Sequence, residues 1–500
     1  MTTKTIKPYD LAIIGGGING MAIARDAAGR GIKTFLCEKD DFGSATSAWS
    51  SKMIHGGLRY LEFYEFSLVR KALKERDILM KLAPHMVHEQ RFILPHLEHL
   101  RPKWLIKMGL FLYDNLYKSQ FMKKSSAVEL KNLSIKPSFK DGFEYSDAVV
   151  DDHRLVIELA HEAKRKGAEL HNYTACEKVE LKEGLWHITL RTADGKTKLI
   201  CAKDIVNATG PWAEKFMKEH MHLNTNKSLR LVKGSHIVIP KLYGENKAYT
   251  FQDENGRVVF TFPYLNDYTL IGTTEEEHKG DPNDATISTE ETIYLKSIIS
   301  EYFGKNLTND DIVWHYSGVR PLIEETGKDN RQTTRDYSIE HLQYGNNTLI
   351  NIWGGKLTTH RVLAEDVLKS LDYHKTWTAT EPFANAVNFK HFAHGLINEY
   401  PFLDETTAKR LVKSYGKRSL DILKDCKKDK DLGKHYGNGL YEIEVKYLIN
   451  HEWVKKPESV LLFRTKCGIG MTSSQIEEFQ TAFEALINPQ KEKPSAENSA

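Results

Sequence analysis

Hydrophobic positions near the start of the chain fall into three patterns in quick succession. In YDLAIIGGGINGMAIARDAAGRGIKTFLCEKD, an apolar run from Leu11 to Ile14 gives way to glycines, then to small residues through Ala28, then to a run from Ile32 to Glu38. Short apolar runs bounded by turns predict buried strands, and the stretch between them predicts a helix, so the three together predict a complete βαβ unit. The spacing from Leu68 to Met86 predicts another helix. LWHITLRTADGKTKLICAKDIVNATG predicts a hairpin around Asp194-Gly195 followed by a strand ending at Asn207. SHIVIP, RVVFTFPY and YTLIGTT predict further strands, and with them a mostly antiparallel sheet in the middle of the chain.

TLINIWGGKLTTHRVLAEDVLKSL predicts strand, double glycine and helix, with Val362, Val367 and Leu371 facing a core. A linker over Thr376 to Asn388 then leads to helical patterns such as LYEIEVKYLINHEWV and SSQIEEFQTAFEALI, which predict a separate helical domain. The last residues, PQKEKPSAENSA, are polar and predict a disordered tail over 489–500. No internal repeat is visible.

Composition narrows the class. With 500 residues, 40% hydrophobic and 27% charged, the chain is globular and long enough for two or three cores. A formal charge of +3 argues against an extended nucleic-acid surface. Cys37, Cys176, Cys201, Cys426 and Cys467 are scattered without a C-x-x-C pair, which predicts reduced thiols in the cytosol and no disulfide. The N-terminus lacks signal-peptide and transit-peptide patterns, and no run reaches the length of a transmembrane helix.

Gly15, Gly17 and Gly20 form G-x-G-x-x-G directly after the first strand and at the mouth of the helix. The first glycine permits the tight turn, the second lets a pyrophosphate approach the backbone, and the third lets helix and strand pack closely. Glu38, at the end of the second strand, is placed to accept hydrogen bonds from a ribose and disfavours the 2′-phosphate of NADP. This unit alone does not separate FAD from NAD. Two later features favour FAD: GSATSAWSSK, Gly43 to Lys52, suits a backbone lying along an extended cofactor, and GGKLTT, Gly354 to Thr359, offers a second glycine turn for its other polar end.

IIGGGINGMAIARDAAGRG, ATSAWSSKMIHGGLRYLEFYEFSLV, VNATGPW, KGSHIVIP, DIVWHYSGVRPL and GGKLTTHR together closely resemble the FAD-dependent, quinone-linked glycerol-3-phosphate dehydrogenases of the bacterial aerobic type. The resemblance runs from about Tyr9 to Leu371 and continues more weakly into the helical part. It implies a mixed α/β fold: a Rossmann-like FAD domain of the glutathione-reductase type, a substrate domain with an antiparallel sheet as in D-amino-acid oxidase, and a helical C-terminal domain. On that pattern the FAD domain takes 1–80, 145–230 and 335–375, the substrate domain 81–144 and 231–334, and the helical domain 388–488. EPFANAVNF, Glu381 to Phe389, departs from the family's glycine-rich linker.

The activity implied is oxidation of sn-glycerol 3-phosphate to dihydroxyacetone phosphate, with electrons passing through FAD to a membrane quinone, ubiquinone or menaquinone. The place implied is the cytoplasmic face of the inner membrane, peripherally on its lipid surface, and the resemblance is compatible with a homodimer. Carried over residue by residue, it assigns the cofactor to Gly15, Gly17, Ile18, Asn19, Gly20, Glu38 and Lys39 at one end. Thr46, Ser47, Ser50, Ser51, Lys52, His55, Gly56, Gly57 and Leu58 follow along its length, with Val179, Ala208, Thr209, Gly210 and Trp212 beside it. Gly354, Gly355, Lys356, Leu357 and Thr358 stand at the flavin end.

Hydride transfer from a secondary alcohol needs a base for the hydroxyl proton and positive potential for the charge that develops on the flavin. Gly355 to Thr358 with Lys356, at a helix start, are the candidates for the second. A phosphate dianion calls for arginine forks, and Arg59, Arg320 and Arg335 are candidates, with Tyr60 beside them. For the base, His236 in KGSHIV and His55 in MIHGGLRY compete. His85, His88, His96 and His99 in HMVHEQRFILPHLEHL are interrupted by a strand-like apolar run and lack a cysteine, so they are read as structural and no metal is expected.

LRPKWLIKMGLFLYDNLYKSQFMKK mixes aromatics, aliphatics and lysines as an interfacial segment does, although a packed helix explains the same pattern. Three other readings stay open at this point: an oxidase that reduces oxygen, a flavin-binding membrane-associated scaffold without turnover, and an NAD enzyme.

Overall fold

The computed structural model describes residues 7–97, 101–324 and 336–488. His99, Arg335 and the expected tail over 489–500 lie outside the described residues. The chain separates into two compact units, one containing Met1–Ala83 and Val87–Phe383, the other Pro84–Met86 and Ala384–Ala500.

Two sheets organise the first unit. The predicted βαβ unit forms from Tyr9–Ile14, Ile18–Gly29 and Thr34–Cys37, its strands parallel and in register. The sheet runs in the order Ser338–Tyr344, Asn347–Trp353, Thr197–Asn207, Tyr9–Ile14, Thr34–Cys37, Glu169–His171; every pairing is parallel except the first. Parallel strands covered on both faces are buried along their whole length, and Thr34–Cys37 and Asn347–Trp353 are buried throughout. Helix Ile18–Gly29 is small and apolar nearly all round because it lies between helices Asp152–Arg165 and His360–Ser370. The hairpin at Asp194-Gly195 joins Leu185–Thr192 to Thr197–Asn207, with Gly195 at φ 79° as its turn requires.

The second sheet is antiparallel apart from one parallel pair, Ala248–Gln252 beside His88–Pro95. Leu229–Pro240, Val258–Tyr264 and Tyr268–Gly272 form it as their patterns predict, and Trp314–Ile323 lies along Leu229–Pro240. Helix Thr289–Phe303 covers one face, with Leu295, Ile298, Ile299 and Tyr302 packed on Ile237, Tyr249, Phe251 and Ile271. Ser288 and Glu291 close a capping box at its start, and Gly304, at φ 71°, ends it.

Several local expectations shift. The helix expected to reach Met86 is Phe66–Leu82, because Pro84 forces the residue before it out of helical backbone. The expected boundary at 80/81 therefore falls inside a helix, and that at 144/145 inside strand Asp141–Val149. In helix His360–Ser370 the buried face is Leu363, Ala364, Val367 and Leu368, while Val362 and Leu371 are only half-buried. The segment read as a linker is anchored: the Arg25 guanidinium lies 4.7 Å and 4.8 Å from the Trp377 and Phe383 ring centroids. Gly29 is needed there, since an added Cβ would stand 2.0 Å from the Trp377 ring.

The second unit is helical, as expected, with Phe389–Glu399, Glu405–Tyr415, Arg418–Leu423, Glu442–His451 and Ser473–Ile487 around one apolar core. Arg410 makes a bidentate pair with Glu444 at 2.7 Å and 2.6 Å, and Tyr415 donates to the same carboxylate. All five cysteines are buried free thiols. Among the described residues no helix is long and apolar enough to cross a membrane, and no cluster of three His, Cys, Asp or Glu side chains is placed to hold a metal ion.

Candidate active site

The glycine turn is held by contacts that admit no side chain. Gly15 sits at φ 108°, and a Cβ there would meet the Ala208 carbonyl oxygen at 2.5 Å; one on Gly20 would meet the Gly15 carbonyl oxygen at 2.0 Å. Gly17 caps the helix, leaving the first N–H groups pointing outward, and Ile18 N donates to Ser47 Oγ at 3.0 Å. Glu38 accepts from Gly16 N at 2.7 Å and Asp40 N at 3.0 Å. Burial pushes its carboxyl above the usual range, against the pull of these donors and Lys39.

A cavity of about 880 Å³ starts at this turn. Gly15, Gly17, Ile18, Glu38, Lys39, Ala208, Thr209, Gly210 and Trp212 line its first end, and Asn19 lines it farther along, beside Gly354. Lys39 stacks its ammonium 4.2 Å from the Trp212 ring centroid. Thr46, Ser47, Ser50 and Ser51 continue the wall, and Thr46 Oγ1 donates to the Val319 carbonyl at 2.8 Å, tying this loop to the second sheet. His55, Gly57, Leu58, Arg59, Tyr60, Arg320 and Gly354 to Thr358 line the far end.

At that far end, Gly354 and Gly355 have φ of 71° and 107°, and a Cβ on Gly355 would stand 2.7 Å from Asn19 Nδ2. Asn19, at the start of the helix after Gly17, thus links the two glycine turns, hundreds of residues apart in sequence. The helix does not start at the glycines: Lys356 precedes a single tight turn, Leu357–Thr359, which runs into His360–Ser370. The Lys356 ammonium is buried 4.1 Å from the Tyr60 ring centroid and has no hydrogen-bond partner among the described residues. Gly57, at φ 76°, leaves room for that ring, since its Cβ would lie 2.2 Å from it. Arg320 Nη2 donates to Thr273 Oγ1 at 2.7 Å, and Glu275 lies 3.8 Å away.

Five sequence assignments change. Val179 does not line the cavity; it is packed in the apolar core opposite Ile188, and Thr174 to Cys176 line the wall instead. Lys52 is turned away into a buried ion pair with Asp152 at 2.9 Å. Gly20 does not line the cavity and keeps only the packing role expected of the third glycine; Gly56 serves packing too, since its N donates to Tyr113 Oη at 2.9 Å and a Cβ there would meet Leu73 at 2.4 Å. His236, a candidate base, lies behind the wall at 1% exposure, whereas His55 lines it. Burial, then the Arg320 and Lys52 cations, keep His236 far below the usual imidazole range, so it is neutral.

Sequence reading missed two carboxylates, Asp152 behind the wall and Asp147 in it. Asp152 holds both Ser50 and Lys52, while Asp147 accepts from Tyr113, Arg76 and Gly56 N. Asp151-Asp152 just after the strand in VVDDHRL, at the cap and first position of a helix, was the available signal for the first. Nothing local marks Asp147.

The arrangement fits a long dinucleotide with a flavin. A phosphate-binding turn and a ribose-facing acid stand at one end, a buried ammonium and a helix start stand at the other, and among the described residues neither that ammonium nor the buried Asn19 Oδ1 between the ends has a partner.

Residues 10–361 match the model of the family described as FAD dependent oxidoreductase, and residues 377–488 match the C-terminal domain of alpha-glycerophosphate oxidase. The chain is 44% identical over 478 residues to a glycerol-3-phosphate dehydrogenase of Pseudomonas aeruginosa, covering 93% of each chain. It is 43% identical over 477 residues to the aerobic glycerol-3-phosphate dehydrogenase of Escherichia coli K12, covering 93% of this chain and 95% of the relative. The solved glycerol-3-phosphate dehydrogenase of Bacillus halodurans, complexed with FAD, superposes with a TM-score of 0.73 at 26% identity, covering 96% of this chain and 95% of that one. With the two glycine turns lining one cavity and near full-length similarity on both counts, the chain belongs to the FAD-dependent oxidoreductases, within the glycerol-3-phosphate dehydrogenase family.

Proposed function

We propose that this protein oxidises sn-glycerol 3-phosphate to dihydroxyacetone phosphate and passes the electrons to a membrane quinone. The observation that carries the reading is the far end of the cavity, where the buried Lys356 ammonium stands among His55, Arg59 and Arg320. When bound, FAD supplies the acceptor for the hydride leaving C2 of the alcohol. Arg59 and Arg320 hold the phosphate dianion, and Thr273 fixes the Arg320 fork. A ring nitrogen of His55 takes the hydroxyl proton. Lys356, kept in place by the Tyr60 ring, faces the negative charge that develops on the flavin. Arg335 belongs to the same proposal by sequence alone.

Anaerobic titration of the yellow holoenzyme with sn-glycerol 3-phosphate is expected to bleach it stoichiometrically. Colour that survives excess substrate overturns the reading in favour of a non-catalytic flavoprotein.

The quinone and membrane part draws on helix Lys103–Leu116, whose Trp104, Met108 and Phe111 are 67%, 47% and 63% exposed on one face. Phe63, Tyr64 and Phe66 are exposed in the neighbouring segment, and Lys103 and Lys107 are exposed on the helix itself. This is the composition of a helix lying in a lipid interface, here on the cytoplasmic face of the inner membrane. Replacing Trp104 and Phe111 together by serine is expected to weaken co-sedimentation with anionic vesicles at least about tenfold, with bleaching by substrate intact. Oxygen uptake that matches quinone-dependent turnover would identify an oxidase instead.

A further inference from the structure

Residues Ser50 to Lys52 are pinned on both sides of Ser51. Ser50 Oγ donates to Asp152 Oδ2 at 2.7 Å, and the Ser50 carbonyl accepts from Tyr316 Oη at 2.8 Å. Lys52 Nζ donates to Asp152 Oδ1 at 2.9 Å and to the Ala48 carbonyl at 3.1 Å. What is left to Ser51 is rotation of its side chain and of its hydroxyl hydrogen. Ser51 lines the cavity, and its Oγ lies 3.0 Å from His236 Nε2.

The imidazole is held equally firmly. Its cross-strand neighbour Tyr316 stacks on it at 4.7 Å between centroids and 13° between planes. On the other side its neighbour is Gly272, where an added Cβ would lie 2.0 Å from the ring. Nδ1 is buried and has no hydrogen-bond partner among the described residues. Were the ring hydrogen on Nδ1, a buried N–H would be orphaned; with the hydrogen on Nε2, only a lone pair is. Orphaned buried N–H groups are rarer than under-satisfied acceptors, and the Nε2–H form also has a partner waiting in Ser51 Oγ.

We infer that His236 is a positioning residue whose Nε2–H donates to Ser51 Oγ, so that Ser51 presents its O–H to the cavity as a hydrogen-bond donor. The inference rests on the proposed function only in taking this cavity as the seat of flavin and substrate. The acceptor is a lone-pair atom, on the flavin ring or on the substrate. His236 itself takes no proton from the substrate, because burial and then the Arg320 and Lys52 cations disfavour the imidazolium that would form.

The tautomer is read directly from the ¹⁵N spectrum of holoenzyme labelled at histidine, with His236→Gln assigning the resonance; hydrogen on Nε2 is expected. Ser51→Ala and His236→Leu should each slow flavin reduction about tenfold, with no further loss in the double variant. His236→Gln, whose amide N–H reaches the same oxygen, should stay within about twofold of wild type. A changed flavin absorption spectrum in substrate-free Ser51→Ala identifies the flavin as acceptor. An unchanged spectrum with about tenfold weaker binding of a non-oxidisable glycerol phosphate analogue identifies the substrate. Hydrogen on Nδ1, a His236→Gln as impaired as His236→Leu, or a Ser51→Ala matching wild type in both spectrum and binding overturns the inference. Bleaching of wild-type enzyme is scored separately, so loss of the proposed function is not confused with loss of this one.

Discussion

Lys356→Met slows reduction of the bound flavin by about two to three powers of ten and leaves substrate affinity within a few-fold. The size follows from removing one preorganised positive group from the place where charge develops, an effect on the order of 2.7–4 kcal/mol in comparable sites. Lys356 meets the conditions for such a value: its ammonium is buried, makes no hydrogen bond among the described residues that would spread its charge, and sits against the Tyr60 ring. Methionine keeps the packing on Tyr60 and removes only the charge. The midpoint potential of the flavin should fall in the same variant, because the anionic reduced form loses its counter-charge. Stopped-flow reduction under anaerobic conditions, with a spectroelectrochemical titration, checks both. A variant that binds substrate poorly but is reduced at the normal rate would move Lys356 to the phosphate.

Gly20→Val is the second large effect, and it acts on the cofactor. Its Cβ would lie 2.0 Å from the Gly15 carbonyl oxygen and 3.1 Å from the Gly15 carbonyl carbon, both backbone atoms that no rotamer can clear. Helix Ile18–Gly29 must then move off the turn, and the N–H groups at its start lose their aim at the pyrophosphate. The protein is expected to lose FAD affinity at least about a hundredfold, measured as flavin released to the filtrate on ultrafiltration. Gly395→Ala, in a helix of the second unit with nothing within 4 Å of the added Cβ, is the matched control and should retain FAD in full. Equal flavin loss in both variants would mean that general destabilisation, not the turn, is responsible.

These predictions use residues that differ in how legible they were. Gly15, Gly17, Gly20 and Glu38 announce their work within one βαβ unit, because each geometric demand of the turn falls on a residue type at a fixed short spacing. The hairpin at Asp194-Gly195 and the antiparallel strands were legible for the same reason, since alternation and turn chemistry are local properties. Lys356 was found through a second glycine turn whose sequence resembles a family motif, but its burial against Tyr60 was not visible in either segment. Where reading failed, a distant partner decided. Lys52 looks like a cofactor ligand in SSKMIHGG, and Asp152, a hundred positions on, draws it away. Gly56 looks like space for a cofactor, and Tyr113 occupies that space. Val179 looks like part of a cofactor wall, yet it belongs to an apolar core shared with the sheet.

The sequence by itself determined the alternation of strand and helix, the dinucleotide turn, the helical character of the C-terminal part and the family. All of these follow from patterns within some thirty residues, or from motifs kept in order. Only the tertiary structure decided which of two histidines reaches the cavity. His236 and Ser51 are 185 positions apart and meet because strand Leu229–Pro240 packs Tyr316 and Gly272 on either side of the ring. Strand register sets which side chain faces a cavity and which faces a neighbour, and it depends on long-range pairing that no local pattern encodes.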